Sequence, residues 1–93
     1  MSEIRIEFFT SPRCGICQAL KPKLLRLLEE EFPDIPMEIT DSAAEPEKAA
    51  QALIFTAPVL RILLDGREQQ RFAHAFSIDQ VRSTLLKVSK QVK

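Results

Sequence analysis

Cys14 and Cys17 enclose Gly15 and Ile16, and the chain has no other cysteine. A run with strand alternation precedes them and a run with helical spacing follows. Two thiols at a strand-to-helix turn suit reversible disulfide chemistry. The first stands where a helix begins, and the unpaired N–H groups and dipole there favour a thiolate over a thiol. The thiolate is the species that attacks a disulfide, so position alone activates Cys14. Cys17, one turn on, is placed to attack the resulting mixed disulfide and release product. The same spacing also serves as half of a zinc site. Structural zinc takes four protein ligands, however, and the chain adds a single histidine, His74, so an intramolecular site would lack a ligand. An iron–sulfur or metal carrier using the cysteines of two chains stays open as an alternative, as does a non-catalytic interaction domain.

The elements around the pair can be read from periodicity. Ile4, Ile6 and Phe8 alternate with Arg5, Glu7 and Phe9, a strand period. Ile16, Leu20, Leu24, Leu27 and Leu28 then fall at helical spacing up to Phe32, and Pro22 inside that run predicts a kink. Met37 to Thr40 is a short strand. Residues 45–53 are alanine-rich, with Pro46 suited to a first helical turn. Val59 to Leu64 is nearly all apolar, like a strand covered on both faces. Asp65-Gly66 is a two-residue hairpin signal, and Glu68 to Phe72 is its polar return strand at a solvent-facing edge. Ser77 and Gln80 form a capping box for a last helix from Ile78 to about Val92. Lys87, Lys90 and Lys93 complement the dipole at its end. The order β-α-β-α-β-β-α predicts a four-stranded mixed sheet with helices on both faces.

Size and composition narrow the classes. The 93 residues suffice for one domain, 1–93, and 45% hydrophobic content supports a core without structural disulfides or metals. The 13 basic and 13 acidic side chains cancel, which gives no electrostatic reason to expect nucleic acid or an anionic membrane as partner. No apolar run nears the roughly 18 residues of a membrane span. A strand beginning at Ile4 leaves no room for a signal peptide, so a cytoplasmic location is expected. In a reducing compartment such a cysteine pair is catalytic or metal-binding rather than a structural staple.

Four features, in this order and spacing, give the chain a family likeness: Phe9-Thr10-Ser11-Pro12 leading into the cysteine pair, Pro22 five residues after Cys17, Thr56-Ala57-Pro58 before the third strand, and the Asp65-Gly66 hairpin. Over nearly its whole length the chain resembles the thioredoxin superfamily, and within it the small archaeal-type thioredoxins and glutaredoxin-like proteins. The resemblance implies the thioredoxin fold and a protein disulfide oxidoreductase with Cys14 as nucleophile and Cys17 as resolving thiol. It implies a cis peptide at Ala57-Pro58, and a groove for extended substrate backbone at Ala57, Pro58, Ala73 and His74. No cofactor is implied beyond the redox-active cysteines. The implied partners are disulfide-containing proteins and, as electron donor, a flavin-dependent enzyme of the thioredoxin reductase kind.

Several positions depart from the family pattern. Arg13 stands where a tryptophan usually precedes the first cysteine, and Phe8 where a buried acid assists proton transfer. Glu7 is adjacent but should point to the other face. Gly15-Ile16 replaces the common Gly-Pro, a dipeptide that tunes the potential in this family. His74 falls where a glycine usually lies beside the disulfide. It reads either as an ordinary loop histidine or, with Arg13, as a group that tunes the thiols. The Gly-Gly of glutaredoxins is missing from Ala73-His74-Ala75-Phe76, which argues against a glutathione-specific role. Ile16, between the cysteines, is expected to be exposed and to offer apolar contact to partners. Phe55 is compatible with a plain core position.

Overall fold

Alternating apolar side chains draw β1 (Ile4–Thr10) into the middle of a four-stranded sheet. The computed structural model describes residues 3–91, in which β1 is followed by α1 (Gly15–Glu31), β2 (Met37–Asp41), α2 (Pro46–Gln51), β3 (Val59–Leu64), β4 (Arg67–Ala73) and α3 (Ile78–Ser89). The sheet order is β2-β1-β3-β4. β1 runs parallel to β2, its partner across the α1 crossover, and antiparallel to β3. β4 lies antiparallel to β3 at the edge, and most of its side chains are exposed, as its polarity requires.

The β3–β4 hairpin turns on Asp65 and Gly66, both with left-handed backbone (φ 52° and 82°). That is the geometry a two-residue hairpin needs, and Gly66 adopts it without the steric cost a Cβ brings. Asp65 also anchors the turn to the start of the chain. Its carboxylate accepts the Glu3 N–H at 2.8 Å, and its own N–H donates to the Glu3 carbonyl at 2.8 Å.

The main core lies between the sheet and the pair α1 and α3. Ile6, Phe8, Leu60 and Ile62 project from the sheet, α1 contributes Leu20, Leu24, Leu27 and Leu28, and α3 contributes Val81, Leu85 and Val88. α1 runs through Pro22 as one helix and ends at Phe32, whose N–H donates to the Leu28 carbonyl. The Ser77–Gln80 capping box is present in both directions, at 3.1 and 2.8 Å. α3 stops at Ser89, short of the expected Val92, with Lys90 as its cap. Val92 and Lys93 lie outside the described residues.

A second, smaller cluster occupies the opposite face, where Ala49 of α2, with Ala52 and Ile54 just beyond that helix, covers Phe9 and Val59. Strict alternation puts Phe9 among the polar residues of β1, yet it is fully buried. The sheet is thus covered on both faces at this end. α2 is only six residues long, and the remainder of its face carries charge. Glu7 on β1 and Arg61 on β3 are register partners, and the Arg61 Nε donates to the Glu7 carboxylate at 2.7 Å. Glu7 therefore does face away from Phe8. Among the described residues no helix is long and apolar enough to cross a membrane.

Candidate active site

β1 ends at Thr10, and Ser11-Pro12-Arg13 turns the chain into α1. The turn is held by the Cys14 N–H donating to the Ser11 carbonyl at 3.3 Å. Cys14 is the N-cap of α1, with extended backbone (φ −98°, ψ 99°). Serine, threonine, aspartate or asparagine usually fills this position with a side-chain oxygen that accepts a first-turn N–H. Here the sulfur takes that role: the Cys17 N–H points at Cys14 Sγ from 3.1 Å. The helix start thus aims a backbone donor and the positive end of the helix dipole at one sulfur. Cys14 and Cys17 are joined in a disulfide, with Cα atoms 5.1 Å apart.

The two sulfurs differ in access. Cys17 is 3% exposed and belongs to the main core, whereas Cys14 is only partly buried against it. Gly15, Ile16 and Arg13 are exposed around them. A Cβ at Gly15 would meet nothing within 4 Å, so the surface beside Cys14 is open. Ile16 is 49% exposed, as expected from its place between the cysteines.

Two further loops are tied to one another where β3 begins and β4 ends. The Ala57-Pro58 peptide is cis, and Pro58 is fully buried. Ala73, the last residue of β4, is the register partner of Val59, and the N–H of His74 donates to the Pro58 carbonyl at 3.0 Å. Ala57, Pro58, Ala73 and His74 are therefore brought together. His74 is exposed and has left-handed backbone (φ 65°), a conformation that disfavours side chains with a Cβ, so a glycine would suit the position. A cleft of about 420 Å³ lies beside the cis-proline loop, lined by Ser11, next to the cysteine turn, by Phe55, Thr56 and Ala57, and by residues of α2 and the loop before it.

Three features of this region escaped the sequence reading. Phe55 is 82% exposed rather than a core residue, because Ile54 takes the buried position beside it under α2. Leu53, 66% exposed, has left-handed backbone (φ 58°). It closes α2 in the turn that glycine normally makes, with Leu53 N–H donating to Ala50 and Ile54 N–H to Ala49. Arg71 reaches from β4 to the carbonyls of Ala52 and Leu53 at 2.7 and 2.9 Å. Its partners are backbone atoms about eighteen positions away, and no side-chain pattern announces such a contact.

The chain matches the family model described as Thioredoxin over residues 2–87. It is 31% identical over 81 residues to the thioredoxin-like protein YdfQ of Bacillus subtilis, an alignment that covers 87% of this chain and 71% of that one. It is 35% identical over 63 residues to a thioredoxin of Methanocaldococcus jannaschii, covering 67% and 73% of the two chains. The solved structure of thioredoxin 1 from Thermosipho africanus superposes with a TM-score of 0.85 at 35% identity, covering 92% of this chain and 94% of that one. A family match of this extent, around a bonded pair of cysteines at the head of α1, leads to one conclusion: the chain belongs to the thioredoxin family of thiol-disulfide oxidoreductases.

Proposed function

We propose that the chain reduces disulfides in proteins, with Cys14 as the attacking thiolate and Cys17 as the resolving thiol. The observation that carries this reading is the asymmetry of the pair. Cys14 is reachable and receives the Cys17 N–H at 3.1 Å, while Cys17 is 3% exposed. In the reduced protein that N–H and the helix N-terminus stabilise negative charge on Cys14 Sγ and so favour the thiolate over the thiol. The thiolate attacks one sulfur of the substrate disulfide. A bond forms between that sulfur and Cys14 Sγ, and the other substrate sulfur leaves with the electron pair. Cys17 then attacks Cys14 Sγ, closes the intramolecular disulfide and expels the second substrate sulfur. The substrate gains two electrons and two protons, and the chain loses them.

Among the described residues no acidic side chain is fully buried to receive the proton of Cys17. Phe8 is fully buried where the family carries that acid, and Glu7 is engaged with Arg61 on the other face. The departing substrate thiolate, adjacent in the mixed disulfide, is the base that remains. Ala57, Pro58, Ala73 and His74 form the groove that holds substrate backbone, and Arg13, Gly15, Ile16 and His74 set the reactivity of the pair. Protein disulfides, a thioredoxin reductase-like electron donor, a cytoplasmic setting and a single domain over 1–93 complete the proposal.

The decisive test is trapping. Cys17→Ser leaves an attacking thiol without a resolving one and should accumulate mixed disulfides with protein substrates. Cys14→Ser should accumulate few. Equal trapping by the two variants would overturn the assignment of nucleophile.

A further inference from the structure

We propose that Arg71, oriented by Glu68, is a positioning residue for the loop that presents the substrate groove. The proposal rests on the reading of Ala57 and Pro58 as that groove. The last carbonyls of a helix lack intrahelical partners, and a cation at that end is favoured by the dipole. At the end of α2 the Arg71 guanidinium supplies both. Its Nη2 donates to the Ala52 carbonyl at 2.7 Å and its Nη1 to the Leu53 carbonyl at 2.9 Å. The other side of the guanidinium is held by Glu68, with contacts of 2.7 to 3.2 Å from Nε and Nη2. Glu68 also accepts from Arg61, which is bound in turn to Glu7 on β1. A planar fork fixed on one edge by a carboxylate has little freedom on the other, so the grip on the two carbonyls is directional.

The gripped segment needs such a hold. Leu53 is left-handed without being glycine, a conformation that persists only where its surroundings over-determine it. Two residues on stands Phe55, 82% exposed, and two more bring the chain to Ala57 and the cis peptide. Arg71 thereby links β4, whose end supplies Ala73 and His74, to the loop that supplies Ala57 and Pro58. Both walls of the groove depend on its position. The thiols themselves sit on α1, outside this linkage.

The separation defines the experiment. Pre-reduced protein is mixed with insulin, whose disulfides lie in polypeptide, or with hydroxyethyl disulfide, which has no backbone to bind. Acid quenching followed by mass analysis of alkylated thiols gives a rate constant for each. Arg71→Met should slow the insulin reaction about tenfold, short of the roughly hundredfold that a misplacement of about 1 Å can cost an oriented reaction. The hydroxyethyl disulfide rate and the reduction potential should stay unchanged. Arg71→Lys should restore part of the insulin rate, and Glu68→Gln should lower it less than Arg71→Met does. Ala57→Arg obstructs the groove directly and serves as the reference variant. If Ala57→Arg lowers the insulin rate selectively and Arg71→Met does not, the positioning role is overturned and the groove stands. An unchanged ratio of the two rates in Ala57→Arg would overturn the groove and the positioning role together. A fall in both rates for Arg71→Met would assign Arg71 to the integrity of the fold and overturn the proposal.

Discussion

On one face of the sheet, α1 and α3 cover Ile6, Phe8, Leu60 and Ile62 in a continuous apolar layer. On the other, α2 covers only Phe9 and Val59 at the end near the cysteines, and Glu7, Arg61, Glu68 and Arg71 occupy much of the rest. Burial of apolar surface is strong and indifferent to direction, so the first face can hold the fold together under many small shifts. Ion pairs add less stability where water reaches them and more where they are partly buried, and bidentate arginine–carboxylate pairs also fix the geometry of their partners. The two faces therefore divide the work. The apolar layer sustains the scaffold that carries Cys17, and the charged face sets the position of the loop before Pro58.

The sharpest way to break this comparison is to damage each face once. Phe8→Ala should cost about 3–5 kcal/mol of unfolding free energy, from lost burial plus the cavity left behind. Arg61→Met should cost about 1.5–3 kcal/mol, the scale of a hydrogen bond to a charged group, because it leaves the mostly buried Glu7 carboxylate without its cation. Denaturant titration measures both, and equal costs would erase the distinction between the faces. A smaller effect of opposite sign is expected at the end of α2. Leu53→Gly removes an unfavourable left-handed backbone at little loss of burial and should stabilise the fold by about 0.5–1 kcal/mol. If stability falls instead, the exposed Leu53 side chain makes contacts that outweigh its backbone.

The smallest effect is one of pH. The hydrogen bond from Arg71, followed by the pull of its charge and of Arg61, holds the Glu68 carboxyl below the ordinary carboxylate range, against the opposing effect of burial. A carboxyl with a depressed folded pKa stabilises the fold above its unfolded value, and the contribution disappears as pH falls through the folded one. Glu68 should therefore add stability at neutral pH that is lost in acid, by less than about 1 kcal/mol given solvent screening. The difference in stability between wild type and Glu68→Gln, followed from neutral pH down past the carboxylate range, should shrink toward zero. A difference that holds constant into acid would show that Glu68 acts through its shape and not its charge. The Lys48 hydrogen bond depresses the Glu38 carboxyl in the same direction at the surface of β2, so the Glu68 contribution is read from that difference and not from the wild-type curve alone.

Much of the architecture was legible because it depends on neighbours in sequence. Alternation over Ile4 to Phe8, the Asp65-Gly66 turn and the Ser77–Gln80 box are each set by residues within a few positions, and all three occur as read. The same holds for Cys14 at the head of α1, where the Cys17 N–H is only three residues away. Helix ends were less legible. α3 stops at Ser89, three residues before the apolar spacing runs out at Val92. Phe9 and Phe55 show a different limit. Alternation puts Phe9 on the polar side and hydrophobicity suggests a core place for Phe55, yet the structure buries the first and exposes the second.

What the sequence determined by itself is therefore the order of elements, the sheet class and the pairing of two thiols with a helix start, since these follow from local periods and a three-residue spacing. Only the tertiary structure decided which cysteine is accessible, that α2 lies over Phe9, and that Arg71 closes on the carbonyls of Ala52 and Leu53. Those outcomes depend on which surfaces meet after the chain has turned back on itself. A backbone carbonyl has no side-chain identity, so the sequence carries no mark of the arginine that will find it.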